Sequence, residues 1–220
     1  LTIVLSLGMS LLINQKIKGQ VLFRSIFFFP YVASLVAICV VWNLLFNPDM
    51  GPVNSLLAAL GVKELPRWTA SVKWALPTVI GLTVWKGAGY YMIVYLAALQ
   101  GISREIYEAA KVDGANALQI FFKITMPYML YVTAPYLIVT FTGNVNNFNV
   151  IYLLSGGDPV TDLASTAGKT DLLVTWLYKL TIDKQYYNIG AVIGILTFII
   201  LAVGALLTYR NSKSYKEGEI

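Results

Sequence analysis

Long apolar runs alternate with shorter polar segments along this chain of 220 residues. The lengths of the runs say what they are, because a helix that crosses a bilayer needs about 20 mostly apolar residues. Ile26 to Phe46 meets that length, and so does Ala75 to Leu99, interrupted by Lys86. Pro127 to about Phe148 is another full-length run. Pro127 stands where a helix starts and a missing N–H costs nothing; Pro135 inside the run is predicted to kink it. Gly190 to Tyr209 completes the full-length set, while Leu1 to Ile13 is too short to span and reads as the tail of a truncated span, with more chain expected upstream.

Between the second and third full-length runs lies a charged, amphipathic stretch. Ile102 to Phe122 is predicted to form two short helices with a turn near Gly114, where a backbone conformation forbidden to a side chain is allowed. Ser103 is the candidate N-cap, and Tyr107, Ala110 and Lys111 then share a face by i, i+3/i+4 spacing. Ala109 and Ala110 keep this helix slim enough to enter a groove. Backbone in lipid must satisfy its own hydrogen bonds, so a polar helix held between two spans belongs in the water. From the residues alone it is either a docking element or an inert helix lying on the membrane surface. Asn149 to Ile189 forms a long segment on the other side; Leu172 to Leu180 within it is apolar and aromatic but too short to cross, and reads as a re-entrant or interfacial helix at the outer mouth.

Composition agrees with an all-α integral membrane protein, a single domain over residues 1–220. Hydrophobic residues make up 57% and charged residues 12%, about half the charge of soluble domains; mean hydropathy is +0.68. There is no His, and Cys39 is the only Cys, which excludes a Cys/His zinc site, a disulfide framework and a Cys–His nucleophile pair. No catalytic constellation is present, so the chain reads as a non-enzyme with no cofactor or metal of its own. Ala167-Gly168-Lys169-Thr170 imitates the end of a nucleotide-binding P-loop, but the required first Gly is Leu163 and no strand precedes it. The net charge of +5 is spread over separate loops, which argues against nucleic-acid binding.

Charge also orients the spans. With the Glu108 stretch in the cytoplasm, the inside holds Lys16, Lys18, Arg24, Arg104, Lys111, Lys123, Arg210, Lys213 and Lys216. The outside holds Lys63, Arg67, Lys73, Lys169, Lys179 and Lys184, so nine basic residues face six. The inside acids are Glu105, Glu108, Asp113, Glu217 and Glu219; the outside acids are Asp49, Glu64, Asp158, Asp162, Asp171 and Asp183.

The run Glu108-Ala109-Ala110, Gly114 four residues on, and Ile124-Thr125-Met126-Pro127 ten residues further resembles the cytoplasmic coupling loop of ABC importer permeases, with Met126 where that family usually has Leu. The chain is similar throughout to carbohydrate-transporting members, most closely to the larger maltose/maltodextrin permease subunit. The likeness rests on Phe29-Pro30-Tyr31, Leu45-Phe46-Asn47-Pro48, Gly61-Val62-Lys63, Tyr107-Glu108-Ala109-Ala110, Asp113-Gly114-Ala115, Phe121 to Thr125, Asn146-Asn147-Phe148 and Thr170 to Val174. The resemblance implies an ABC type I importer transmembrane domain with about five spans visible of a core of six or more. Its coupling loop is expected at residues 102–127 and an extracytoplasmic loop at 149–189. Glu108, Ala109, Ala110, Asp113 and Gly114 are then expected to dock in a cleft on an ATPase subunit.

The same resemblance implies a mid-membrane sugar site from Lys86, Gly87 and Tyr90 before the loop and Thr140, Gly143, Asn144 and Asn147 after it. Helical spacing sets each group in one stripe, and Asn amides and a Tyr ring are suitable partners for sugar hydroxyls and C–H faces. Gly143 departs from an aromatic stacking residue in the maltose subunit, and Lys86 from an apolar one. A charge at mid-membrane costs at least ~2.5 kcal/mol. Lys86 is therefore either a sugar or substrate-carboxylate ligand, or a structural residue paired with a partner subunit or snorkelling to water. Asn146 and Asn149 read equally as interhelical glue or pore lining, and Trp42, Trp74 and Trp176 as interface anchors rather than sugar platforms. The implied assembly contains a second permease subunit, two ATPase subunits that bind the ATP and Mg, an extracytoplasmic solute-binding protein and an oligosaccharide substrate, in the bacterial inner membrane. The expected function is ATP-driven sugar import by alternating access. The alternatives are an ion-coupled secondary transporter, which the lack of an intramembrane Asp or Glu disfavours, and import of a non-maltose, acidic saccharide.

Overall fold

The computed structural model describes residues 1–15, 18–161 and 166–211; Lys16, Asp162, Leu163, Lys213, Lys216, Glu217 and Glu219 lie outside them. The described residues form α1 (Thr2–Asn14), α2 (Gln20–Val32), α3 (Leu35–Leu45), α4 (Pro52–Ala59), α5 (Ala75–Gln100), α6 (Arg104–Val112), α7 (Ala117–Ile120), α8 (Met126–Val145), α9 (Phe148–Leu154), α10 (Leu173–Tyr178) and α11 (Tyr187–Asn211). Phe121–Thr125 and Lys179–Asp183 are single turns of π-helix. The described residues hold no sheet, only an isolated antiparallel bridge between Val160 and Gly168.

Ala75–Gln100 and Tyr187–Leu206 are each long and apolar enough to cross a membrane, as expected. Of the other two expected spans, that from Ile26 to Phe46 is broken, while α8 covers nearly all of the one from Pro127 to about Phe148 and bends within it. The run from Ile26 to Phe46 ends as α2 at Val32 and restarts as α3 at Leu35. Pro30 lies inside α2, where it removes an N–H and crowds the preceding turn, and the helix stops two residues later. The run after Pro127 ends as α8 at Val145 and restarts as α9 at Phe148. Asn146 and Asn147 occupy this break, and Asn side chains compete with the helical backbone for its hydrogen bonds. A bend of 65° separates Ala117–Tyr131 from Tyr136–Leu154, at the place where a kink was predicted from Pro135, and counting this bent pair and the pair α2 and α3, bent by 96°, as one span each gives up to four. Nor does the third run begin at Pro127: α7 and a π turn lead directly into α8, and the Met126 N–H reaches back to Phe121 O.

The chain divides into two compact units, and α5 and α8 each contribute to both. One unit contains residues 1–32 and 84–139. Its core joins Ile13, Met92 and Leu96 in one cluster and Tyr95, Leu99 and Met129 in another. The Ser6 hydroxyl of α1 is buried and donates to Thr2 O and, at 2.9 Å, to Ala88 O of α5. Gly89 lets α2 approach α5 closely, since a Cβ there would collide with the Phe27 carbonyl. Small residues serve this purpose between membrane helices, where van der Waals packing replaces the hydrophobic drive.

The other unit contains residues 33–83 and 140–220. Ile38, Cys39, Val79, Leu82, Val150, Ile151 and Leu154 form its core. Its polar segment between α3 and α5 folds around the buried Asn54, whose amide donates to Pro48 O and Pro66 O and accepts from Trp68 Nε1. Trp42, Phe46, Trp68 and Trp74 stack around a hollow of about 200 Å³, so Trp42 and Trp74 belong to an aromatic cluster.

Candidate functional site

The amphipathic stretch folds as predicted into two short helices on either side of Gly114. Ser103 holds the N-cap position of α6 with an extended backbone, but its hydroxyl makes no capping bond. Glu105 in the first turn and Lys111 in the last both complement the helix dipole. At the far end, the Ala115 N–H bonds Ala110 O at 2.9 Å and the Gly114 N–H bonds Lys111 O at 3.0 Å. Together these are a Schellman closure, which demands a left-handed residue at position 114. Gly114 supplies it with φ +76°. Nothing lies within 4 Å of where its Cβ would be, so backbone conformation alone selects glycine here. Asn116 then caps α7 through a reciprocal pair: its side chain accepts from the Gln119 N–H at 2.9 Å while the Gln119 side chain accepts from the Asn116 N–H at 2.8 Å.

No residue of α6 is buried. Tyr107 and Ala110 form its half-buried face, and the Tyr107 hydroxyl reaches Thr125 Oγ1 at 3.1 Å, tying α6 to the π turn. Glu108, Ala109, Lys111, Asp113 and Gly114 are exposed. Of the face expected from spacing, Lys111 therefore points away from the half-buried side. Beside the Gly114 turn lies a hollow of about 260 Å³ lined by Asp113, Gly114, Ala115, Gln119, Lys123 and Ile124. The sequence reading passed over three apolar side chains that stand out of this polar element: Val112 is 88% exposed, Leu118 69% and Phe122 63%. Only Val112, set between Lys111 and Asp113, carried a sequence signal for this.

On α5, Lys86, Gly87 and Tyr90 are all half-buried. Tyr90 stacks on Tyr31 of α2, with ring centroids 4.3 Å apart and planes 17° from parallel. It also meets Tyr91 at 5.8 Å and Tyr136 of α8 at 5.7 Å. The sequence reading named Tyr90 and missed the other three rings: Tyr91 beside it on α5, and Tyr31 and Tyr136 from two further helices. A Cβ on Gly87 would lie 3.3 Å from Thr2 Cγ2 and 3.4 Å from Tyr91, so this glycine faces a tight contact with α1. Lys86 Nζ donates to Tyr31 O at 2.9 Å and to Pro30 O at 3.3 Å.

The second group belongs to the other compact unit. Thr140 is half-buried, and Gly143 and Asn144 are exposed. Asn144 turns its amide N–H back to Thr140 O of its own helix at 2.9 Å. Thr140, Gly143 and Asn144 share a stripe of α8, as expected. Asn147 does not continue it: it is the N-cap of α9, with φ −76° and ψ 67°, beyond the end of α8. The helical spacing expected of Asn144–Asn147 and Gly143–Asn147 is therefore interrupted, because the amide-rich run ends the helix.

In the apparent P-loop remnant, Thr170 Oγ1 bonds Asp158 O and the Ser155 hydroxyl, each at 2.8 Å, while Gly168 pairs with Val160. These contacts fold a loop and leave no phosphate cradle. The expected short helix after it is present as α10 and its π turn, and Trp176 Nε1 donates to Thr166 Oγ1 at 3.1 Å.

Comparison with known proteins follows this geometry. Residues 3–214 match the family described as binding-protein-dependent transport system inner membrane component. The galactooligosaccharides transport system permease protein GanP of Bacillus subtilis (strain 168) is 36% identical over 219 residues, covering 99% of this chain and 52% of GanP. The maltodextrin transport system permease protein MdxF of the same organism is 36% identical over 229 residues, covering 100% of this chain and 52% of MdxF. The chain thus spans about half the length of the curated relatives it matches. Among solved structures, a bacterial ABC transporter involved in import of the acidic polysaccharide alginate has a chain that superposes with a TM-score of 0.83 at 28% identity, over 96% of this chain and 72% of that one. A second structure, of a bacterial alginate ABC transporter in complex with an alginate pentasaccharide-bound periplasmic protein, gives 0.81 at 27% identity, over 94% and 70%.

Proposed function

The chain belongs to the family of binding-protein-dependent transport system inner membrane components, and on that premise we propose that it is a transmembrane permease subunit of an ATP-driven importer of oligosaccharides. The observation that carries this reading is the α6–α7 element, a water-facing pair of helices with no buried residue in the first and a glycine closure between them. Such an element contributes little to the chain's own core. It is built to be received by another protein.

In this reading residues 102–127 form the coupling loop, and α6 enters a cleft on an ATPase subunit. Glu108 and Asp113 meet cationic or backbone donors there, and Ala109 and Ala110 let the helix seat deeply. Two ATPases bind ATP and Mg and perform the hydrolysis, so this subunit catalyses no reaction of its own. A second permease completes the pathway, and a solute-binding protein delivers the sugar from outside. Relatives named for galactooligosaccharide and maltodextrin transport support a sugar as the cargo. Lys86, Gly87, Tyr90, Thr140, Gly143, Asn144 and Asn147 are proposed to line its path. A conduction site must release what it binds, so these contacts are few and individually modest.

Uptake by the assembled complex in inside-defined vesicles tests the coupling assignment. Glu108→Lys and Gly114→Asp are expected to abolish ATP-dependent sugar uptake while the subunit still inserts at wild-type levels. Wild-type uptake by both variants removes the assignment.

A further inference from the structure

Lys86 sits within the apolar run of α5, and its contacts say more about it than its charge does. The end of α2 at Val32 leaves the carbonyls of the last turn without helical donors. Two of them, Pro30 O and Tyr31 O, accept hydrogen bonds from Lys86 Nζ at 3.3 Å and 2.9 Å. The ammonium also lies 5.2 Å from the centroid of the Tyr31 ring, within cation–π range. That ring in turn stacks on Tyr90 at 4.3 Å. One cation thus closes a helix end and holds, through its neighbour, the aromatic ring proposed to meet the sugar.

We infer that Lys86 is a positioning residue that fixes the end of α2 and thereby the Tyr31–Tyr90 stack, and that the pathway serves uncharged sugars rather than a substrate carboxylate at Lys86. The inference rests on the sugar-importer reading above. An ammonium has three donors, and at least two of these are engaged by carbonyls. A substrate carboxylate at Lys86 would therefore compete with two backbone carbonyls that the end of α2 leaves without helical donors. The substrate-ligand role that the sequence leaves open for Lys86 is therefore set against the structural one, and the geometry favours the latter by a route the sequence did not suggest: the partner is the broken helix itself.

The test is sugar uptake by the assembled transporter in proteoliposomes, with a neutral oligosaccharide and a uronate-containing one of equal length. Lys86→Met is expected to raise the KM for the neutral sugar about fivefold, the size of one weakened aromatic contact, with little change in maximal rate. Lys86→Arg restores the wild-type KM, because a guanidinium also supplies paired N–H donors. Tyr31→Leu raises the KM by a similar factor, and the double variant is no worse than either single one, since both act through the same stack. Selective loss of uronate uptake in Lys86→Met, or multiplicative effects in the double variant, overturns the inference. Should Lys86→Met fail to assemble, Lys86→Arg and Tyr31→Leu still decide: an unchanged KM in Tyr31→Leu overturns it. A wild-type complex that moves neither sugar removes the importer reading and this inference with it.

Discussion

Asp171 is a carboxylate whose side chain is only 3% exposed. Its Oδ2 forms an ion pair with Lys179 Nζ at 2.9 Å and accepts the Gly168 N–H at 2.7 Å. Gly157, at φ +87°, makes room for it, because a Cβ there would collide with Asp171 Oδ1. Removing one partner of such a pair strands the other charge, so Asp171→Ala is expected to destabilise this loop by about 3 kcal/mol, while replacing both partners by apolar residues costs much less. Thermal unfolding of the solubilised complex, run as a double-mutant cycle with Lys179→Met, checks this; additive losses refute the pair. From sequence the two residues were merely two of the outside charges. Eight residues apart, they fit no helical pairing rule, and only the folding of the loop about Gly157 brings them together. Gly114 was legible for the opposite reason: its requirement is local, set by how one helix ends.

Helix lengths were legible where composition and continuity coincide, in α5 and α11. They were misread where an apolar run hides a break, because hydropathy registers the residue's affinity for lipid and says nothing of whether its backbone stays helical. Pro30 carried the missing signal, whereas the bend between Tyr131 and Tyr136 falls where Pro135 was expected to kink the run. At this scale the reciprocal Asn116–Gln119 cap is the test of α7, a helix of four residues. Asn116→Ala is expected to cost about 1 kcal/mol locally, visible as roughly fivefold faster amide exchange across residues 117–120. Exchange that stays at the wild-type rate means that the π turn and α8, not the cap, hold α7 in place.

For the whole molecule, the family and the all-helical membrane architecture were readable from the residues, since both depend on patterns that survive without coordinates. The residues proposed to line the sugar path were legible only in part in their placement. The α5 residues share their stripe, but Tyr31 and Tyr136, which flank Tyr90, come from positions that no spacing links to it, and Asn147 lies past a helix end. On the proposed importer reading, the assembly is expected to draw on ATP alone. Uptake should persist when ionophores collapse the proton and sodium gradients, and should cease when ATP is depleted; the reverse pattern indicates an ion-coupled carrier.

Gly89 carries a mechanical consequence. With no side chain between them, the backbones of α2 and α5 bear directly on each other there, so a tilt of α5 would pivot about that spot. Gln100, at the end of α5 before α6, lies about 16 Å along the axis from this contact, and Lys86 about 4.5 Å on the other side. A tilt of α5 about that contact is therefore reversed in direction at Lys86 and nearly fourfold smaller there than at Gln100.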